Sequence, residues 1–460
     1  MRESGSLSIN GQLAVLPSRV AYAAPDGERQ HVTHGQGPYL FRKSSGVLFD
    51  AAGGSGSLIL GHGDPAVVDV LADQSRKLTV FPGRDLASEV VEQYAMDLVH
   101  AFTPDGAGRA ITYSSGSDAI EAAIKLSIQY QRVRGRSRKT KILGRLASYH
   151  GATLSGLAAG GFLERRAPFE AVLALSAKAA PAHCPACIFD TTPDTCALDC
   201  AESLERAIVS EGPDTVAAFI AEPVVGAALS AAVPDPRYFA RVRAICDQHG
   251  VLLIADEVMT GFGRTGRLLA IHHWDVRADI VVLGKAMSAG YFPLSGLVVS
   301  GDVAAALDAG GEVFQNGQTH CCSPLGCAVG RHVLARVRDG DLPANAAARG
   351  RELLDGMRAT LPNEWVGNVR GLGLMIGFDV STPAGRAPSR RLSTVVQRLA
   401  MSRGLLTYAS GGSPTSVDGD HLMLLPPLTI TSADVDFIVG ALERTIADLA
   451  AGSIAAGSGT

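Results

Sequence analysis

Between about residues 86 and 330, short apolar runs alternate with stretches of helical periodicity, and this rhythm limits the fold more than any other feature. The clearest runs are 109–114, 216–221, 251–255, 280–283 and 296–300. A strand that is apolar on both faces must be covered on both faces. The pattern therefore implies an α/β fold, a mainly parallel sheet between two layers of helices. One segment carries the logic in full: residues 235–249 have helical spacing, Gly250 suits a helix end, and Val251-Leu252-Leu253-Ile254 is a buried strand.

The flanks read differently. Residues 1–85 are Gly-rich and irregular, with strand-like pieces such as Gly46-Val47-Leu48-Phe49-Asp50, and are expected to join a smaller domain. Residues 86–330 form the large domain. From 331 to 450 helices mix with short strands, 373–380 among them, which suits a second, smaller α+β domain. Residues 451–460 are small and polar, and a disordered tail is expected. With 460 residues the chain can bury a large core in two or three lobes. A formal net charge of -4 gives no electrostatic reason for nucleic acid or an anionic membrane as partner. No apolar run approaches the roughly 20 residues of a membrane span, and the start, MRESGSLSING, lacks the layout of a signal peptide. A cytoplasmic protein with eight reduced cysteines is the expectation.

Chemistry concentrates at a few strand ends. Asp256 closes the apolar run Leu252-Leu253-Ile254-Ala255, at the end of the sheet where α/β folds place ligands. Alone, such an Asp is as readily a helix cap. Lys285 follows Ile280-Val281-Val282-Leu283-Gly284, so it is half desolvated, which lowers its pKa and favours the neutral amine that forms a Schiff base. After Lys178 the sequence has no lysine except Lys285, while arginine recurs freely. A surface cation could have been arginine; an imine-forming one cannot. Together the two residues match pyridoxal 5′-phosphate (PLP), whose pyridine nitrogen needs a carboxylate partner to stay protonated. Tyr113-Ser114-Ser115-Gly116-Ser117-Asp118 leads a strand into a long helix reaching Tyr130. Its free N–H groups make an anion site, with Gly116 allowing close approach and the Ser115 and Ser117 hydroxyls adding donors. Ser-Gly-Ser is also a common plain cap. Tyr149, in Tyr149-His150-Gly151, could stack on a pyridine ring with Val258 on the other face.

Read together, these pieces resemble class III aminotransferases of PLP fold type I. The matching stretches include Leu60-Gly61-His62-Gly63-Asp64-Pro65, Ser115-Gly116-Ser117-Asp118-Ala119, Tyr149-His150-Gly151 and Glu222-Pro223. Asp256-Glu257-Val258-Met259-Thr260-Gly261-Phe262-Gly263-Arg264-Thr265-Gly266 follows, then Gly284-Lys285, Gly317-Gln318-Thr319, Arg370-Gly371-Leu372-Gly373 and Pro426-Pro427-Leu428. The resemblance implies a mainly parallel, seven-stranded-type sheet flanked by helices, plus a smaller α+β domain. It implies that Lys285 holds PLP as a Schiff base and then moves the proton, and that Asp256 pairs with the pyridine nitrogen. Gly116 and Ser117 would hold the phosphate, Tyr149 would stack, and Glu222 would lie near the phenolic edge. Ser115, His150 and Val258 belong to the same cofactor shell. Thr319 would reach the phosphate of the neighbouring subunit, making a homodimer with shared active sites. The partners are then a small-molecule amine donor and a keto acid or aldehyde acceptor. Epimerase, racemase, aminomutase or decarboxylase chemistry uses the same scaffold and stays open as the alternative. A non-catalytic homologue is a further one, against which the intact Lys285 and Asp256 speak.

Two segments depart from the family pattern. Relatives that use glutamate or a keto acid carry an arginine shortly before Pro-Pro-Leu, whereas residues 413–425 here contain no basic residue but His421. The turn Gly53-Gly54-Ser55-Gly56-Ser57 is all small, which suggests a roomy or polar pocket for a bulky amine or an amino sugar. Cys184, Cys187, Cys196 and Cys200 form C-x2-C-x8-C-x3-C beside His183, a pattern open to a zinc or iron–sulfur site. The reading preferred is a loop of reduced thiols without metal, because the spacing is short and Cys-Pro is loop-like. Cys321 and Cys322 are expected to pack at the subunit interface, and Arg264 and Arg370 to anchor Gly-rich turns.

Overall fold

A computed structural model describes residues 30–43, 46–103, 106–192, 194–382, 391–413 and 419–451. The expected disordered tail therefore falls, after Ala451, outside the described residues. Strands β1 (Val32–Gln36), β2 (Tyr39–Arg42) and β3 (Val47–Asp50) form an antiparallel meander. A two-residue strand, Leu405–Leu406, pairs with β3 in parallel, so chain from the C-terminal part completes the first sheet.

The central sheet has seven strands: β4 (Arg109–Tyr113), β5 (Lys141–Arg145), β6 (Lys178–Ala179), β7 (Val216–Ala221), β8 (Leu252–Asp256), β9 (Ile280–Leu283) and β10 (Ser295–Val299). Their order is β4-β10-β9-β8-β7-β5-β6. The pairs β6-β5, β5-β7, β7-β8 and β8-β9 are parallel, while β10 runs antiparallel to both β9 and β4. The expected α/β sheet is thus present, and mixed at one side. Alternate residues explain why its strands read as unbroken apolar runs. Ala218, Ile220, Leu252, Ile254, Ile280 and Val282 pack on one face with the helix Gly116–Val133. Phe219, Leu253, Val281 and Leu283 pack in the core on the other.

The connection between β7 and β8 is the helix Tyr238–His249. It starts three residues later than its periodicity suggests, because Asp235 accepts from the Arg237 N–H and forms the turn that precedes it. It ends at Gly250, whose φ of 57° is the left-handed cap expected there. The third sheet orders β11 (Val366–Leu372), β12 (Met375–Val380), β15 (Asp420–Leu424) and β14 (Tyr408–Gly411), antiparallel throughout; β13 is Leu405–Leu406. Arg264 ties this part to the rest: it is fully buried and donates to the carbonyls of Leu374 and Pro426. Burial depresses its pKa to about 9. Among the described residues, no helix is long and apolar enough to cross a membrane.

Candidate functional site

β8 and β9 are parallel with Asp256 opposite Val282, so Asp256 and Lys285 leave the sheet at the same end. The step between them is tight. Gly284 is extended, and Lys285 itself takes a φ of 41°, in the left-handed region that an L-residue rarely adopts. A cavity of about 200 Å³ opens at this end, lined by Gly116, Ser117, Ile120, Tyr149, His150, Gly151, Glu222, Ala227, Asp256, Val258, Met259 and Lys285. Residues scattered over 170 positions of sequence are thereby gathered around one lysine.

The electrostatics are those of a buried, partly compensated set. Burial lowers the Lys285 pKa below the ordinary lysine value, opposed by the nearby Asp256 and Glu222 carboxylates. Among the described residues, no hydrogen bond or ion pair engages its amine. Asp256 is held on both oxygens: Oδ1 accepts the Val258 N–H at 3.1 Å, and Oδ2 lies 2.8 Å from His150 Nδ1. The His150 side chain is fully buried, and among the described residues its Nε2 has no hydrogen-bond partner. Glu222 Oε1 accepts the Tyr149 N–H at 3.0 Å, and Oε2 the Gly226 N–H at 2.7 Å. Burial raises the Glu222 pKa; the neighbouring His150 lowers it, Asp256 raises it, and the two backbone bonds lower it.

Gly116 begins the helix Gly116–Val133, directly after β4. A Cβ on Gly116 would sit 2.9 Å from Val258 Cγ1, and one on Gly284 3.2 Å from the same atom. Only glycine keeps this cradle open. The Ser117 hydroxyl accepts the Ala152 N–H at 3.0 Å and lines the cavity. Ser115 is placed otherwise: its Oγ accepts the Asp118 N–H at 3.2 Å as the helix cap, and it is not part of the lining. Thr319 is exposed and also outside this cavity. Ile120, Ala227 and Met259 complete the wall and were not singled out from sequence. Apolar residues carry no chemical signature, although Met259 directly follows Val258.

Beyond the wall lies the small turn. Gly53, Gly54, Ser55 and Gly56 take φ values of 54°, 54°, 62° and 87°, a left-handed turn that the helical periodicities could not predict. It is fixed by Asp50, whose Oδ1 accepts from the Ala52 and Gly53 N–H groups, and Gly56 packs against Met259. Residues 414–418 of the second departing segment lie outside the described residues. Its described part is turned inward: His421 is buried, with Nδ1 2.6 Å from Ser230 Oγ. Among the described residues, no group of three or more His, Cys, Asp or Glu is arranged to hold a metal ion, and all eight cysteines are free.

The residues fit PLP on these observations: a free buried amine, a carboxylate fixed for a ring nitrogen, and a helix start held open by glycine for an anion. Comparison with known proteins agrees. Residues 22–446 match the family model described as Aminotransferase class-III. The chain is 32% identical over 421 residues to the uncharacterized aminotransferase YodT of Bacillus subtilis, covering 90% of this chain and 94% of that one. It is 32% identical over 446 residues to the diaminobutyrate–2-oxoglutarate transaminase of Halomonas elongata, with 92% of each covered. A PLP-bound amine transaminase from an uncultivated Pseudomonas species superposes with a TM-score of 0.86 at 31% identity, covering 94% of this chain and 99% of the other. The chain belongs to the class III aminotransferases, transaminases whose cofactor is pyridoxal 5′-phosphate.

Proposed function

We propose that the cavity around Lys285 is the site of amino transfer, with a division of labour among its residues. The observation that carries this is the pairing, at one end of the sheet, of an unengaged lysine amine with a carboxylate held on both oxygens. PLP, when bound, supplies a carbonyl carbon that condenses with amines and a pyridinium ring that takes up electron density. Lys285 Nζ is the anchor for that carbonyl. Once released by a donor amine, it takes the proton from the donor's amine-bearing carbon as base and returns it as acid. Its burial serves this cycle, since a pKa below the usual lysine value leaves more of the amine neutral.

Asp256 would accept the pyridine N–H, and His150 would hold the carboxylate in the orientation that does so. The N–H groups of Gly116 and Ser117 would receive the phosphate, while Tyr149 and Val258 would border the ring. Glu222, oriented by the Tyr149 and Gly226 amides, would lie near the phenolic edge. Thr319, exposed and away from its own cavity, completes the phosphate site of a second subunit, so the working form is a homodimer. A cytoplasmic location belongs to the same proposal, supported by eight free thiols. The relative from Halomonas elongata, a diaminobutyrate–2-oxoglutarate transaminase, suggests the substrates: an amino-bearing acid as donor and a keto acid as acceptor.

Absorbance of the purified holoenzyme, followed as amines are added without a keto acid, tests the assignment. A suitable donor should convert the yellow cofactor band durably, and a Lys285→Ala variant should neither hold that band covalently nor turn over. A band that no amine converts counts against amino transfer at this cavity.

A further inference from the structure

Arg145, the last residue of β5, is 1% exposed, yet among the described residues no carboxylate pairs with its guanidinium. Its Nη2 donates to the Glu222 carbonyl at 2.5 Å, and its Cζ lies 5.7 Å over the Tyr238 ring. Among the described residues, Nε and Nη1 have no hydrogen-bond partner. Burying a cation on these terms is unfavourable, and an apolar side chain of the same length would fit there without that cost. What the guanidinium does is hold Glu222, and that hold closes a ring. β5 and β7 run parallel, with Leu143 opposite Phe219, and Glu222 is the first residue beyond β7. Past Arg145 the chain turns. The Leu146 N–H donates to the Ala179 carbonyl, Ala147 takes a φ of 50°, and the Ser148 hydroxyl donates back to the Arg145 carbonyl at 2.8 Å. Tyr149 comes next, and its N–H donates to Glu222 Oε1 at 3.0 Å. One short stretch thus grips Glu222 at both ends, its carbonyl through Arg145 and its carboxylate through Tyr149.

We propose that Arg145 is a positioning residue for amino transfer: by fixing the Glu222 carbonyl from behind the cavity, it holds the Glu222 carboxylate in place within it. The proposal rests on the reading of the Lys285 cavity given above. Glu222 and Tyr149 both line that cavity, whereas Arg145 does not, so its effect must pass through them. The neighbouring charges that shift the Glu222 pKa are those of His150 and Asp256, so Arg145 acts through position rather than through its own field. The Tyr238 ring, buried at the start of its helix, fixes the plane from which Nη2 donates. When the side chain is cut back, the Glu222 peptide loses this bond and can rotate, and the carboxylate moves with it. Misplacing a group at the reacting centre by about 1 Å costs up to about 100-fold in rate. Length therefore matters as well as charge. A lysine ammonium falls one bond short of Nη2 and can lean onto the same carbonyl, whereas a glutamine amide falls two bonds short.

The test is a double-mutant cycle on the holoenzyme, Arg145→Met against Glu222→Ala. It is read by circular dichroism of the yellow cofactor band, and by kinetics with 2,4-diaminobutyrate or, if that fails, whichever amine converts the wild-type band. With Glu222 present, Arg145→Met should lower kcat roughly 10- to 100-fold with the donor KM little changed. It should also weaken the dichroism of the band relative to its absorbance. In the Glu222→Ala background the same change should cost less than about 3-fold and leave the dichroism as it was. Arg145→Lys should recover part of both signals, and Arg145→Gln less. Losses that add in full, or a lysine variant no better than the methionine one, overturn the assignment. If Arg145→Met does not fold, Arg145→Gln takes its place in the cycle and is judged by the same additivity. Additive losses in an enzyme whose wild type converts the band leave the transaminase site intact and remove only the role of Arg145. A wild type that forms no yellow band with PLP overturns both.

Discussion

The floor of the cavity and its rim are built on different principles. At the floor, Asp256 and Lys285 end neighbouring strands whose residues are buried on both faces, so their positions follow from register and packing along the whole sheet. At the rim, the turn Gly53–Gly56 and the end of β14 are set by a few contacts: Asp50 with two amides, Ser410 with the Ala227 carbonyl, and Arg391 over Gly411. Many weak constraints make the floor rigid, and few make the rim adjustable. Chemistry needs fixed geometry, while selection among substrates tolerates a side chain that moves.

Changes at the floor should then abolish turnover at little cost in folding. Lys285→Ala is expected to reduce kcat by at least about 10⁴-fold, measured by donor half-reactions, since it removes both anchor and acid–base. Asp256→Asn should lower kcat by roughly 10²- to 10³-fold, because the neutral amide no longer holds a positive ring nitrogen. If either variant kept near-normal turnover, the contrast would fail at its strongest point.

The rim should respond in stability instead. Gly53→Ala puts a Cβ into the Leu425 carbonyl at a φ of 54°, and should destabilise by about 2–3 kcal/mol in chemical denaturation. Gly54→Ala at the same φ meets only Ser57 Oγ, at 3.1 Å, and should cost about 1 kcal/mol. Equal effects would mean that the turn is not held against Leu425.

The response to pH sharpens the same contrast. Glu257, under the floor, accepts the Ile271 N–H, and burial lifts its pKa to about 7. Its contribution to stability is full below about pH 4.5 and is lost as pH rises through 7. His183 and His421 lie behind the rim, and burial, with the Arg370 charge next, lowers both to about 4. Their contribution is full above about pH 6.5 and is lost as pH falls toward 4. Each swing has a ceiling of about 3.4 kcal/mol. Denaturation curves of Glu257→Gln should lose the decline between about pH 4.5 and 7, and those of His421→Asn should lose part of the acid decline.

How much could be read beforehand divides along the same line. The central strands announce themselves because residues pointing to both faces are apolar, and Asp256 and Lys285 are conspicuous as charges ending such runs. The antiparallel direction of β10 was not legible, since a buried strand reads alike either way. Nor was the His150–Asp256 contact, which joins positions 106 residues apart without any local pattern. At the rim, smallness at 53–57 was visible but its handedness was not. Ser55 takes a φ of 62° that its side chain does nothing to announce. Arg391 looked like one arginine among many, because its contacts are with Gly411 and Glu164, neither of which is near in sequence.

The Gly53–Gly56 turn also bears on how this enzyme can be altered. Its backbone runs with the hand natural to D-amino acids, so glycine sits there with least strain, and asparagine and aspartate are the next best tolerated. Random mutagenesis at Gly53 and Gly56 can therefore sample little that is useful, and libraries are better spent on Ser57. Chemical ligation offers what translation does not. A D-alanine at Gly54 should fit where L-alanine strains, adding a methyl group to the turn without unwinding the segment that carries it.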